Sequence, residues 1–146
     1  MSTRPAQPPN VELLRTWIEA YNARNMEAFV GSCDPGVELY SLFAAVGGVT
    51  LYRGHDGVRR WWREFEESWD RPRIEPEAFF DLGAQTLFFA VLHGRGRQSE
   101  VEVEMPYAAV TRWNDGLVVY FRSFTDRDSA LHDLGVSEDD LEPIAP

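Results

Sequence analysis

Lysine is missing altogether: all 14 basic side chains of the chain are arginine. Its absence excludes Schiff-base chemistry, which needs a lysine amine. It also excludes a phosphate-binding P-loop, which needs a Gly-Lys-Ser/Thr ending. Cysteine occurs once, at Cys33, so no internal disulfide can form. One cysteine and three scattered histidines give no metal-ligand spacing. Neither a metal nor another cofactor is therefore expected. No apolar run approaches the length of a membrane span, and the polar, proline-rich start from Met1 to Asn10 has no apolar core of a signal peptide. A cytoplasmic, soluble protein with no membrane partner is expected. Positive charge is scarce as well, 14 basic against 24 acidic residues, for a formal net charge of -10. Such a surface repels phosphate backbones, so nucleic acid is not an expected partner.

What the chain does have is apolar and aromatic content, 44% and 13% of its 146 residues. That suits a single domain with a sizeable core. The composition divides it into a flexible leader at 1–9 with three prolines, a domain at 10–136, and a tail at 137–146 carrying four acids. Asn10 is placed to cap a first helix, along which Val11, Leu14, Trp17, Ile18 and Tyr21 form one apolar stripe. A short second helix follows from Met26 to about Cys33, with Met26, Phe29, Val30 and Cys33 on one face. Asp34-Pro35-Gly36 is a turn signal. Val37–Ser41 reads as a short strand, and Leu42–Leu51, with Gly47-Gly48, as a loop over a pocket mouth. A third helix starts near Asp56 and carries the clearest stripe: Val58, Trp61, Trp62, Phe65 and Trp69.

The remainder reads as strands. Ile74–Leu82 is interrupted by Pro76. Leu87–Leu92 is continuously apolar, as suits a strand covered on both faces. Glu100–Trp113 alternates, and Asn114-Asp115-Gly116 turns the chain into a partner strand at Leu117–Phe124. A last helix covers Asp126–Leu134, with Gly135 as its stop. This order predicts an α+β domain: a curved antiparallel sheet with helices packed on its concave face.

Three segments carry a resemblance. The first is Trp17-Ile18-Glu19-Ala20-Tyr21-Asn22-Ala23-Arg24-Asn25-Met26-Glu27-Ala28-Phe29. The second is Tyr52-Arg53-Gly54-His55-Asp56-Gly57-Val58. The third is Trp113-Asn114-Asp115-Gly116-Leu117-Val118-Val119, continued by Arg122-Ser123-Phe124-Thr125-Asp126-Arg127-Asp128-Ser129-Ala130-Leu131. Together they are similar to the SnoaL-like branch of the nuclear transport factor 2-like superfamily. The resemblance implies a cone-shaped fold, a cavity between the first helix, the third helix and the concave face, and a homodimer through the outer face of the sheet. It does not imply one activity, because the fold hosts enzymes, binders and association modules.

The catalytic carboxylates of two relatives are absent. By the resemblance, the base of ketosteroid isomerase falls on Ser41, its oxyanion donors on Trp17 and Ala108, and the aspartate of limonene epoxide hydrolase on Ser123. Serine hydroxyls orient a ligand but are poor bases at neutral pH. The residues expected to contact a small apolar or oxygenated organic molecule are Trp17, Tyr21, Tyr40, Phe43, Tyr52, Trp61, Trp62, Phe65, Tyr107, Phe121 and Ser123. The tyrosines suit equally a core with satisfied hydroxyls, and the tryptophans suit plain helix-on-sheet packing. Candidates for catalysis are Glu104, Tyr40 and His93. Glu102 and Glu104 share a phase with Ala108 and Val110, assigned here to the cavity face. A buried unpaired carboxylate is costly, so a bulge near Pro106 is expected to turn the glutamates away. Three functions stay open: an isomerase, cyclase or hydrolase, a non-catalytic binder, and a dimerisation module.

Overall fold

The computed structural model describes residues 9–41 and 50–146, to which all structural statements refer. Most of the expected leader and of the expected pocket-mouth loop, with Phe43, lies outside the described residues; Pro9 opens α1, and Thr50 and Leu51, expected in the loop, belong to β2. The elements run α1 (Pro9–Asn22), α2 (Met26–Gly31), β1 (Cys33–Ser41), β2 (Thr50–Arg53), α3 (Gly54–Ser68), β3 (Trp69–Leu82), β4 (Gln85–Gly96), β5 (Glu102–Asn114), β6 (Leu117–Phe124) and α4 (Arg127–Leu134). The six strands form one curved, open sheet in the order β2-β1-β6-β5-β4-β3. Neighbours are antiparallel except β1 and β6, which run parallel, so the expected antiparallel sheet is mixed. None of these helices is long and apolar enough to cross a membrane.

The stripes of α1 and α3 become the inner layer. Val11, Leu14, Trp17, Ile18 and Tyr21 of α1 and Val58, Trp61, Trp62 and Phe65 of α3 are all buried against the sheet. Each large side chain so buried contributes about 1.5–3 kcal/mol. Asn22 fixes α1 to the sheet edge. Its amide donates to Ile74 O and accepts from Ile74 N, both at 2.8 Å, which imitates a strand neighbour for β3. His55 in the first turn of α3 donates from Nε2 to Cys33 O at 2.7 Å. Gly57 lies flat on β2, where a Cβ would come within 3.0 Å of the Tyr52 backbone.

The continuous run in β4 is covered on both sides, as its composition predicts. Phe88, Ala90 and Leu92 face the helices. Leu87 and Phe89 face an outer cluster with Phe80, Ala108, Val110, Phe124, Ala130 and Leu131, the last two from α4. Asp126 caps α4 by accepting from Ser129 N at 2.7 Å, and Gly135 closes it at φ 69°. Trp69, which the stripe assigns to the third helix, is extended at φ -127° and opens β3 opposite Gly96. β3 bulges between Pro76 and Ala78, where proline cannot serve the ladder. The tail does not fray completely, because Ile144 bridges Phe79 through backbone hydrogen bonds of 2.9 and 2.7 Å.

Candidate ligand site between the helices and the sheet

β5 sets the chemistry of the interior. Its ladder with β4 is unbroken from Arg95↔Glu102 to Gln85↔Arg112, so no bulge occurs at Pro106. Proline is tolerated there because β6 ends at Phe124, opposite Ala108, leaving Pro106 only one strand neighbour. The strand therefore keeps one phase, and that phase is opposite to the assignment made from sequence. Tyr107, Ala109, Thr111 and Trp113 face the helices, whereas Ala108 and Val110 pack in the outer cluster. Glu102 and Glu104 share the outer face and are exposed. Ala108 is likewise not an interior position, and the inward residues beside it are Tyr107 and Ala109.

Eight of the expected contact residues meet in the interior: Trp17, Tyr21, Trp61, Trp62, Phe65, Tyr107, Phe121 and Ser123. Phe29, which the sequence reading placed only on the face of a short helix, is their hub. It stacks on Trp17 at 4.4 Å and on Trp61 at 5.7 Å, and meets Trp62 edge-on at 5.2 Å. Aromatic pairs of this kind add about 0.5–1.5 kcal/mol each beyond burial. Tyr52 is buried with them, but its hydroxyl lies 3.3 Å from Glu64 Oε2, at the α3 surface. Tyr40 is on the other side of the sheet, its ring 5.5 Å from Tyr120 and beside the Arg122 guanidinium. His93 and Glu104 do come together, though on the outer face: His93 Nε2 is 3.0 Å from Glu75 and Nδ1 is 3.4 Å from Glu104. Both ring nitrogens face carboxylates, which leaves neither for a substrate.

The polar groups inside are hydroxyls and indoles. Trp61 Nε1 donates to Ser41 Oγ at 3.1 Å, Trp17 Nε1 to Phe29 O at 3.0 Å, and Trp113 Nε1 to Thr86 Oγ1 at 2.9 Å. Tyr107 is hydrogen-bonded to Ser123, and burial holds its hydroxyl far above the usual range for ionisation. Burial raises Tyr21 too, against the opposing pull of Arg24. Both tyrosines are therefore neutral donors at any physiological pH. Burial also pushes the Cys33 thiol up to about 12. Thr111 Oγ1 is fully buried on the inner face and has no hydrogen-bond partner among the described residues. Among the described residues, no Asp, Glu, His or Arg is buried there, and no three His, Cys, Asp or Glu side chains are arranged to hold a metal ion.

Side chains fill most of this space. The recess nearest α3 is a tight apolar crevice along Phe65, Trp69, Leu92, Gly94, Val103 and Met105, too narrow to admit a water molecule. Trp69 lies directly over Gly94, where a Cβ would meet its ring at 2.9 Å. The alternation of β5 carries the signal that could have found Thr111, since it shares a phase with Tyr107 once the outer cluster under α4 is recognised.

Comparison with known proteins agrees with this architecture. No curated protein matches the chain. Among solved structures, a nuclear transport factor 2-like protein of unknown function from Burkholderia pseudomallei superposes with a TM-score of 0.75 at 18% identity, covering 86% of this chain and 97% of that one. TerC, co-crystallised with polyporic acid, gives 0.72 at 18% identity, with the same coverage of 86% and 97%. A putative SnoaL-like polyketide cyclase from Shewanella denitrificans gives 0.69 at 14% identity, covering 88% and 98%. At these identities the likeness establishes the fold alone. The model of the SnoaL-like domain matches residues 14–121, most of the chain, and this protein therefore belongs to the SnoaL-like domain family.

Proposed function

We propose that the chain binds a small, oxygenated aromatic molecule between α1, α3 and the inner sheet face, and does so without carboxylate-driven proton transfer. The observation that carries this reading is the buried, unpartnered hydroxyl of Thr111 in an aromatic interior, on the strand face that also presents Tyr107. An unpaired buried hydroxyl costs about 1–3 kcal/mol, a cost that a ligand carbonyl or phenol would relieve. Tyr107 and Ser123 supply further donors, and the rings of Trp17, Trp61 and Phe29 offer stacking surface. A fold neighbour co-crystallised with polyporic acid, and another described as a putative polyketide cyclase, support this ligand class. Because the described interior is closely packed, binding requires the side chains around Tyr107 and Thr111 to move.

Proton abstraction from carbon needs a base within reach and an acid to hold the enolate. Glu104 and His93 sit outside, so binding or orientation is favoured over isomerase chemistry. The dense packing favours one second reading, an association module, with the homodimer formed through the outer sheet face around Tyr40, Tyr120 and Arg122. The test is tryptophan fluorescence during titration with hydroxyquinones and phenols. Binding gives saturable quenching that weakens in Tyr107→Phe. A flat response to the whole series, with a dimer seen by light scattering, favours the association module.

A further inference from the structure

Away from the aromatic interior, the charge of this acidic chain reverses locally. β2 and α3 line an open cleft of about 780 Å³ with Leu51, Arg53, Asp56, Gly57, Arg60 and Arg63. Arg53, Arg60 and Arg63 border the same hollow. Arg60 and Arg63 are three apart on α3 and so project from one side of it. Gly57, also in the lining, lets α3 lie close on β2, since a Cβ would meet the Tyr52 backbone at 3.0 Å. The arginines are not spent on strong ion pairs. Arg53 is 71% exposed and 3.4 Å from Glu38, and Arg60 is 57% exposed and 3.9 Å from Glu64. Arg63 has no ion pair among the described residues. The one carboxylate lining the cleft, Asp56, is fully exposed and lies 3.7 Å from Arg59.

We propose that this cleft is a second binding site, separate from the interior, for a small doubly charged oxyanion such as a phosphate monoester or a dicarboxylate. Guanidinium groups present planar pairs of donors that match the oxygens of both groups, and they stay charged at all physiological pH. Three cations against the one lining carboxylate, Asp56, leave two positive charges to balance a dianion, while the chain as a whole, at -10, repels anions. Leu51 gives the ligand's carbon skeleton an apolar wall.

The test is calorimetric titration of the full chain with inorganic phosphate and, separately, with malonate, at constant ionic strength set by sodium chloride. The site predicts saturable one-to-one binding of at least one of them, weakened tenfold or more in Arg60→Gln/Arg63→Gln. Arg53→Gln alone should weaken it several-fold. Arg71→Gln/Arg73→Gln, on β3, should leave it unchanged. Phosphate binding alone assigns a phosphate ester, malonate binding alone a dicarboxylate, and binding of both a charge-selected site. Unfolding curves check that each variant is folded. Absence of saturation with either anion, or equal affinity in the Arg60/Arg63 variant, overturns the proposal.

Discussion

Replacing Thr111 by valine should make the free protein more stable. Valine has nearly the same shape as threonine, so the cavity term is small, and what changes is the hydroxyl. Thr111 Oγ1 is buried with no partner among the described residues. Such a group costs about 1–3 kcal/mol of desolvation that nothing offsets, so removing it should return that amount. For a domain of this size, 1 kcal/mol moves the midpoint by about 2–4 °C, and a rise of roughly 2–12 °C is expected. The neighbouring strand provides a control of opposite sign. Thr86 stands directly opposite Thr111 and is equally buried, but its Oγ1 accepts the Trp113 indole N–H at 2.9 Å. Thr86→Val strands that donor and should destabilise by about 1–3 kcal/mol. Urea unfolding with unchanged m values reads both effects. If Thr111→Val destabilises, or if the two substitutions move stability in the same direction, the hydroxyl is satisfied and the recognition role assigned to it fails.

Other consequences concern single groups. Tyr107→Phe and Ser123→Ala should each cost about 0.5–1.5 kcal/mol. The double variant should cost less than their sum, because removing both partners leaves no orphan; additivity in a double-mutant cycle would deny the hydrogen bond. Cys33, buried and with its thiol pushed up to about 12, should resist iodoacetamide at pH 8 in the folded chain and react promptly in urea. The hydrogen bond from His93 holds the Glu75 carboxyl below its usual value. A depressed carboxylate stabilises above its unfolded pKa and loses that contribution as pH falls through the folded one. The stability advantage of wild type over Glu75→Gln should therefore shrink to nothing on acidification through the carboxylate range, and an advantage that grows towards low pH would contradict the pairing. Gly94→Ala must displace the Trp69 ring, since its Cβ would lie 2.9 Å away. It should cost about 1–3 kcal/mol and shift tryptophan emission.

The elements whose pattern is local were readable from sequence. The stripes of α1 and α3, the last helix with its Gly135 stop, and the Asn114–Gly116 turn rest on neighbours within a few residues. So does the two-sided burial of Leu87–Leu92, because continuous apolar residues admit no polar face. The parallel contact of β1 with β6 was not readable, since strand order is decided by residues far apart in sequence and leaves no periodicity. Trp69 continues the α3 spacing in sequence but pairs opposite Gly96, which only the fold reveals. The phase of β5 was misjudged for a related reason. Alternation shows that Glu102, Glu104, Ala108 and Val110 share a face, but not which face the helices cover. The answer lies with α4, whose Ala130 and Leu131 cover the outer side of Ala108 and Val110. Once that is known, the exposed glutamates cost nothing, and the interior site loses its acid and keeps its hydroxyls.

Native mass spectrometry of the purified full chain, alone and with an added hydroxyquinone, tests the interior site most directly. Binding through the inner-face hydroxyls predicts one bound molecule per chain, with its occupancy sharply reduced in both Thr111→Val and Tyr107→Phe although both variants stay folded. Bare chain at every ligand concentration, or equal occupancy in wild type and both variants, would contradict it.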